Sequence, residues 1–236
     1  MSRIIDEISV FLPAYNEEKN VKKTTHEVLE VLKKIASKWE LIIVNDGSKD
    51  KTGEISDQLA KSHPRISVIH HQPNRGYGGA LKSGFSHAKY KWVSFMDIDG
   101  QFDFSEITEF IAVQKQTQAD IVCGIRQQRA DPFLRVIFTF VWSKLLPKLI
   151  FNLQVTDYSC GFKLLRREVF QQVQPLIGEE KVTQIEMLVK AQRLGLKFAE
   201  VKVHHYPRFS GRQTGADFKV IMKSIIDLLK LWSQLR

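Results

Sequence analysis

Five short apolar runs, each ending at a polar turn and each separated from the next by a helical stretch, constrain this chain more than any other feature. They are Ile8-Ser9-Val10-Phe11-Leu12-Pro13, Leu41-Ile42-Ile43-Val44, Ile66-Ser67-Val68-Ile69, Lys91-Trp92-Val93-Ser94-Phe95 and Asp120-Ile121-Val122-Cys123-Gly124. Short β-rich runs bounded by turn residues read as buried strands, with Pro13 closing the first. Between them, Val21, Val28, Leu29, Leu32 and Ile35 make one helical stripe ending near Ser37, and Thr52 to Ser62 fits a second helix. Asn74-Arg75-Gly76-Tyr77-Gly78-Gly79 opens a third through Ala88, and Ser105 to about Lys115 forms a fourth. This alternation predicts an α/β fold with a mostly parallel, doubly wound sheet. Ligands of such sheets sit outside the carboxyl ends of the strands. Pro13 to Glu17, Asp46, and Asp97 to Gln101 all lie just after strands, so the fold gathers three polar loops at one crevice.

The most chemical of these loops is Met96-Asp97-Ile98-Asp99-Gly100-Gln101-Phe102-Asp103. Carboxylates at alternate positions of extended backbone share a face, so Asp97 and Asp99 can address one cavity. Oxygen ligands suit Mg²⁺ or Mn²⁺, which waters and substrate phosphates commonly complete. The glycines at 76 to 79 lack the Gly-Lys-Ser/Thr ending of a P-loop and the G-x-G-x-x-G spacing, and read as a tight turn. The pairs His70-His71 and His204-His205 are adjacent in extended runs and so face opposite sides, which argues against a shared metal.

Charge then narrows the partners. The net +9 calls for an anion: nucleic acid, an acidic membrane surface or a phosphorylated substrate. The cations are dispersed along helices and the recognisable clusters are acidic turns, so nucleic acid is not expected. Cys123 and Cys160 form no zinc spacing and read as reduced cytosolic thiols. The charged N-terminus lacks a signal-peptide core, and no apolar run reaches the ~18 residues of a membrane span. Phe133 to Phe151 is rich in Phe, Trp, Leu and Ile but broken by Arg135, Lys144, Pro147 and Lys148. Asp217 to Arg236 repeats that mixture. Either reads as an amphipathic segment lying on anionic lipid, or as core or a dimer face. Between them lie Asp157-Tyr158-Ser159-Cys160-Gly161-Phe162-Lys163, a helix around Gln184 to Met187, a strand-like Ala199 to Val203, and a basic loop from Pro207 to Gly215 with Arg208 and Arg212 suited to phosphates.

Together these segments resemble the inverting family 2 glycosyltransferases of the GT-A fold, and among them the dolichyl/polyprenyl-phosphate hexose synthases. The markers are Leu12-Pro13-Ala14-Tyr15-Asn16-Glu17-Glu18, Val44-Asn45-Asp46-Gly47-Ser48, Asn74-Arg75-Gly76, Asp97-Ile98-Asp99-Gly100-Gln101, Gly161-Phe162-Lys163 and the Pro207 to Gly215 loop. The resemblance implies a catalytic domain over residues 1–215, containing the interface segment 133–151, and a C-terminal amphipathic helix over 216–236. It implies that Pro13, Tyr15, Asn16, Glu17, Val44, Asp46 and Ile98 hold the nucleotide sugar. Asp97, Asp99 and Gln101 would bind a divalent cation, Mg²⁺ or Mn²⁺, on the donor diphosphate. Arg208 and Arg212 would clamp that diphosphate. Arg126, Arg135 and Thr139 would receive the acceptor's phosphate, and Glu186 would line the cleft.

The implied reaction moves a hexose from a GDP- or UDP-sugar to a lipid phosphate, an anion able to attack without a general base. Many relatives carry transmembrane helices after this domain. The expectation here is therefore peripheral attachment to the cytoplasmic face of a membrane, with a membrane-subunit partner or a homo-oligomer as further options. A hydroxyl acceptor on a glycan or small soluble molecule is the alternative; it would need a carboxylate base, with Glu186 or Asp157 as candidates. A catalytically silent scaffold is opposed by the intact Asp97, Asp99 and Gln101. A nucleotidyltransferase is opposed by the absence of a Gly- and Arg-rich loop after the first strand.

Overall fold

The computed structural model describes residues 3–127, 146–180, 182–208, 226–228 and 230–233. A seven-stranded sheet forms its centre, in the order β3-β2-β1-β4-β6-β5-β7. The strands are β1 (Ile5–Ala14), β2 (Ala36–Asn45), β3 (Ile66–His70), β4 (Trp92–Met96), β5 (Ile121–Gln127), β6 (Phe162–Arg166) and β7 (Phe198–His204). Every described pairing is parallel except those of β6, which runs antiparallel to both β4 and β5. The helices are α1 (Val21–Ile35), α2 (Thr52–Ser62), α3 (Gly76–His87), α4 (Ile107–Thr117), α5 (Leu146–Phe151), α6 (Arg167–Gln172) and α7 (Val182–Arg193).

Strand residues alternate between two cores, as a sheet covered on both faces requires. Ile8, Val10, Leu12, Leu41 and Ile43 pack with α1 and with Ile107, Phe110 and Ile111 of α4. Phe11, Ile42, Val44 and Phe95 pack on the other side with Ala80, Leu81 and Phe85 of α3 and with α6 and α7. The Phe11 ring meets Phe85 edge-on at 4.8 Å. A Cβ on Gly84 would lie 2.3 Å from that ring, so the glycine is what lets α3 press against β1.

Two boundaries differ from expectation. Pro13 lies inside β1, paired with Val44, because the ladder toward β4 ends earlier, at Phe11 and Phe95. The lost proline donor therefore costs no bond on that side. The first helix also stops at Ile35 and passes straight into a ten-residue β2.

Strand order reverses around β1, between β2 on one side and β4 on the other, and this is the position at which doubly wound sheets bind ligands. Because β6 is antiparallel, its start lies at the same edge as the ends of the other strands. Met96 pairs with Phe162, and the Asp97 amide donates to the Gly161 carbonyl at 3.0 Å.

Candidate active site

The loop after β1 is fastened to the loop after β2. Asn16 N donates to Ser48 Oγ at 2.9 Å, Lys49 N to Asn16 Oδ1 at 2.8 Å, and Glu17 N to Thr52 Oγ1 at 2.7 Å. Asn16 takes a left-handed φ of 55°, a conformation that asparagine tolerates better than most residues. These bonds present the half-buried Tyr15 and buried Glu17 along the crevice rim. Burial pushes the Glu17 carboxyl above its ordinary pKa, while the Asn20 hydrogen bond and the Arg208 charge oppose the shift.

Asp46 is buried at the end of β2. Its Oδ1 accepts from His71 Nδ1 at 2.6 Å and from Arg75 N at 2.8 Å, and its carbonyl accepts from Asn74 Nδ2 at 2.6 Å. His71 Nε2 reaches Ser83 Oγ at 2.8 Å. Asn74 and Arg75 thus act as a brace for the β2 loop, a role the Asn-Arg-Gly motif alone does not reveal. Val44 and Ile98 have core side chains, 0% and 1% exposed, and the Ile98 carbonyl accepts from Thr24 Oγ1.

Asp97 and Asp99 follow β4, both half-buried. Tyr77 Oη donates to Asp97 Oδ1 at 2.8 Å, and Gln101 N donates to Asp99 Oδ1 at 3.2 Å. Burial of the Tyr77 hydroxyl, reinforced by the Asp97 charge, raises its pKa well above the ordinary phenol value, so it remains a proton donor. Gln101 is tied to the loop after β7 through its side-chain nitrogen and its backbone. Its Nε2 donates to the Tyr206 carbonyl at 3.0 Å, and the Tyr206 amide donates to the Gln101 carbonyl at 2.9 Å. It buttresses the loop after β7. That loop carries Arg208, which is bound to Glu17 and lies 3.9 Å from Asp99 Oδ2. Arg212, Arg135 and Thr139 lie outside the described residues, as do most of the 133–151 segment and most of 216–236.

Arg126, near the end of β5, forks onto Asp157: Nε donates to Oδ2 at 2.9 Å and Nη2 to Oδ1 at 2.8 Å, with Ser159 Oγ also 2.8 Å from Nη2. Burial works against its charge, but Asp157 outweighs that and keeps the guanidinium firmly protonated. Asp157 is fully buried and committed to this fork. Glu186 lies on α7. It is 1% exposed and accepts from Ile177 N, Gly178 N and Lys190 Nζ, so it holds the 176–178 loop on α7. The α7 side chain that reaches the diacid is Gln184, through Tyr77.

At this edge, then, an Asp-x-Asp turn, the buried Asp46 and the guanidinium groups of Arg126 and Arg208 gather near the switch point of the sheet. Residues 9–174 match the model described as "Glycosyl transferase family 2". The chain belongs to glycosyl transferase family 2. It is 33% identical to a dolichyl-phosphate beta-glucosyltransferase, ALG5A, of Trichomonas vaginalis, across 97% of this chain and 75% of that one. It is 31% identical to the glycosyltransferase AglD of Haloferax volcanii, across 97% of this chain and 37% of that protein. Among solved structures it superposes on glucosyl-3-phosphoglycerate synthase of Mycobacterium tuberculosis in complex with Mn²⁺, UDP and glucosyl-3-phosphoglycerate. There the TM-score is 0.75 at 19% identity, over 97% of this chain and 80% of that one.

The donor set of this family 2 glycosyltransferase fits a hard divalent ion shared with a substrate. Among the described residues no three His, Cys, Asp or Glu side chains converge into a complete cage. Asp97 and Asp99 both follow β4 and are half-buried, and a Mg²⁺- or Mn²⁺-type ion held by one or two carboxylates takes its remaining ligands from water and phosphate.

Proposed function

We propose that this glycosyltransferase moves glucose from UDP-glucose to a polyprenyl phosphate of the dolichyl type, inverting the anomeric centre, with a divalent cation held by Asp97 and Asp99. The observation that carries the acceptor assignment is the commitment of both candidate base carboxylates. Asp157 is bound to Arg126, and Glu186 to two backbone amides and Lys190. A hydroxyl acceptor needs a base to take its proton, whereas a lipid phosphate is already a nucleophilic anion. The relatives named as dolichyl-phosphate beta-glucosyltransferases support glucose and the lipid, and the UDP complex of the fold neighbour supports the uridine nucleotide.

In this reading Asp46, braced by His71 and Arg75, faces the base, while Tyr15 and Glu17 line the ribose side. Arg208 exchanges its contacts with Glu17 and Asp99 for the donor diphosphate, stabilising the charge that develops on the leaving group. When bound, the metal supplies Lewis-acid stabilisation of the same diphosphate. Asp157 aims Arg126 at the acceptor phosphate. Arg135, Thr139 and Arg212 complete the two phosphate subsites by family resemblance.

No helix among the described residues is long and apolar enough to cross a membrane. Residues 226–228 and 230–233 are helical; Leu228 and Leu231 are buried in the core that also holds residues of α3 and α7, while Ile226 and Trp232 are exposed. An apolar outer edge on a protein of charge +9 supports attachment to an anionic membrane surface.

The test is transfer of labelled sugar into a lipid phase. Purified protein, Mn²⁺ and a polyprenyl phosphate in detergent are offered UDP-glucose or GDP-mannose. Lipid labelling from UDP-glucose, lost in Asp99→Ala, is the expected result. UDP-glucose turnover that labels only a soluble hydroxyl acceptor overturns the lipid assignment.

A further inference from the structure

Lys163 is a cation with no exposed surface, on the second residue of β6, and its three ammonium protons meet three acceptors. These are the carbonyls of Tyr158 and Cys160 and the Gln184 side-chain oxygen. An ammonium only donates, so Gln184 must turn its Oε1 toward Lys163. The Gln184 amide nitrogen is thereby directed to Tyr77 Oη, 3.1 Å away. A phenol oxygen that accepts from Gln184 sends its own proton elsewhere, and the partner at 2.8 Å is Asp97 Oδ1. Donor polarity therefore runs one way along four side chains drawn from β6, α7, α3 and the end of β4. On its other flank the Asp97 carboxylate lies against Gly161, where an added Cβ would fall 2.1 Å from Oδ2.

We propose that Lys163, Gln184 and Tyr77 form a one-way hydrogen-bond relay that fixes the rotation of the Asp97 carboxylate and so sets the affinity of the donor site for its divalent cation. These three are positioning residues, and the inference rests on the reading that Asp97 and Asp99 hold the metal. Ligating carboxylates depend on outer partners of this kind, whose loss costs about 10- to 100-fold in metal affinity. The relay does not depend on the nature of the acceptor.

Reversing the polarity without removing volume tests it. In Gln184→Glu the new carboxylate still accepts from Lys163 but has no proton to offer Tyr77, whose hydroxyl then turns to that carboxylate and leaves Asp97. Calorimetric titration of Mn²⁺ into the full chain with saturating UDP is the readout, alongside thermal melting. Gln184→Glu and Tyr77→Phe are each expected to weaken Mn²⁺ binding about 10-fold or more, with the Gln184→Glu melting point held by the new ion pair. The double variant is expected to match Tyr77→Phe alone, because both changes delete one bond. Unchanged Mn²⁺ affinity in folded Gln184→Glu overturns the relay alone, as does full additivity in the double variant. Failure of the wild-type chain to bind Mn²⁺ with UDP overturns the metal reading and the relay with it.

Discussion

Gly161→Ala adds one methyl group at the closest approach between the two halves of the site. The new carbon would lie 2.1 Å from Asp97 Oδ2, 2.4 Å from its Cγ and 2.7 Å from Oδ1. To restore an ordinary 3.4 Å contact the carboxylate must retreat by about 1.3 Å. Such a retreat breaks the 2.8 Å bond from Tyr77. Gly161 is not among the positive-φ glycines, so alanine fits the backbone and the damage is confined to the carboxylate. Displacing a reacting group by ~1 Å costs on the order of 100-fold in rate, equivalent to about 2.7 kcal/mol of transition-state stabilisation. Overpacking costs a further 1–3 kcal/mol or so of stability, offset in part by about 0.4–1 kcal/mol from the stiffer unfolded chain. The assay is kcat/KM for glucosyl transfer to a polyprenyl phosphate, measured with a Mn²⁺ titration and a thermal melt on the same preparation. A folded Gly161→Ala protein that keeps both kcat/KM and Mn²⁺ affinity within about threefold of the wild type would refute the placement of Asp97 at the metal.

Other perturbations have separate readouts. Asp99→Asn, which keeps shape but removes charge, is expected to abolish Mn²⁺-dependent UDP binding and to lower transfer by roughly two orders of magnitude or more, measured by calorimetry and initial rates. Arg208→Ala should raise KM for the donor and leave acceptor KM nearly unchanged, and equal effects on both would move Arg208 away from the diphosphate. Arg126→Ala strands the buried Asp157 carboxylate and should cost about 3–5 kcal/mol in urea unfolding, beyond any loss of acceptor affinity. Alkaline stability carries a thiol signature. Burial pushes Cys123 up to about 12 and Cys160 up to about 11, from an ordinary value of 9.0. Above that ordinary value the unfolded chain sheds protons that the folded chain retains, so stability falls as pH rises, by up to about 1.4 kcal/mol per pH unit per thiol. Cys160→Ala should flatten the urea midpoint between about pH 9 and 11 relative to the wild type, and parallel curves would contradict the assignment.

Much of this arrangement is legible in the sequence because a doubly wound sheet places its chemistry by rule. Asp46 and Asp97 are recognisable as ends of apolar runs, and the α2 bounds follow from local pattern alone. β6 is not legible: Phe162-Lys163-Leu164-Leu165-Arg166 has no clean alternation, since both its faces are covered and its lysine is buried by three acceptors. Val44 and Ile98 stand beside site residues, yet their side chains pack into the two cores. Glu186 has the composition of a catalytic acid, and only the folded 176–178 loop shows where its oxygens go. Tyr77 meets Asp97 across 20 residues of chain and Gln184 meets Tyr77 across 107, separations at which no local pattern operates.

The reversed strand β6 also bears on how such an enzyme can diversify. It lies between two blocks of parallel strands, β3-β2-β1-β4 and β5-β7, and joins them by ladders to β4 and β5. The first block carries the loops assigned to the nucleotide, and the second carries Arg126 and, in the loop after β7, the donor-side Arg208. Drift around the end of β5 can therefore reshape what is glycosylated while the sugar-donor machinery, Arg208 included, is inherited intact. The constraint on that freedom is local: at the seam, residue 161 must stay small enough to lie beside Asp97.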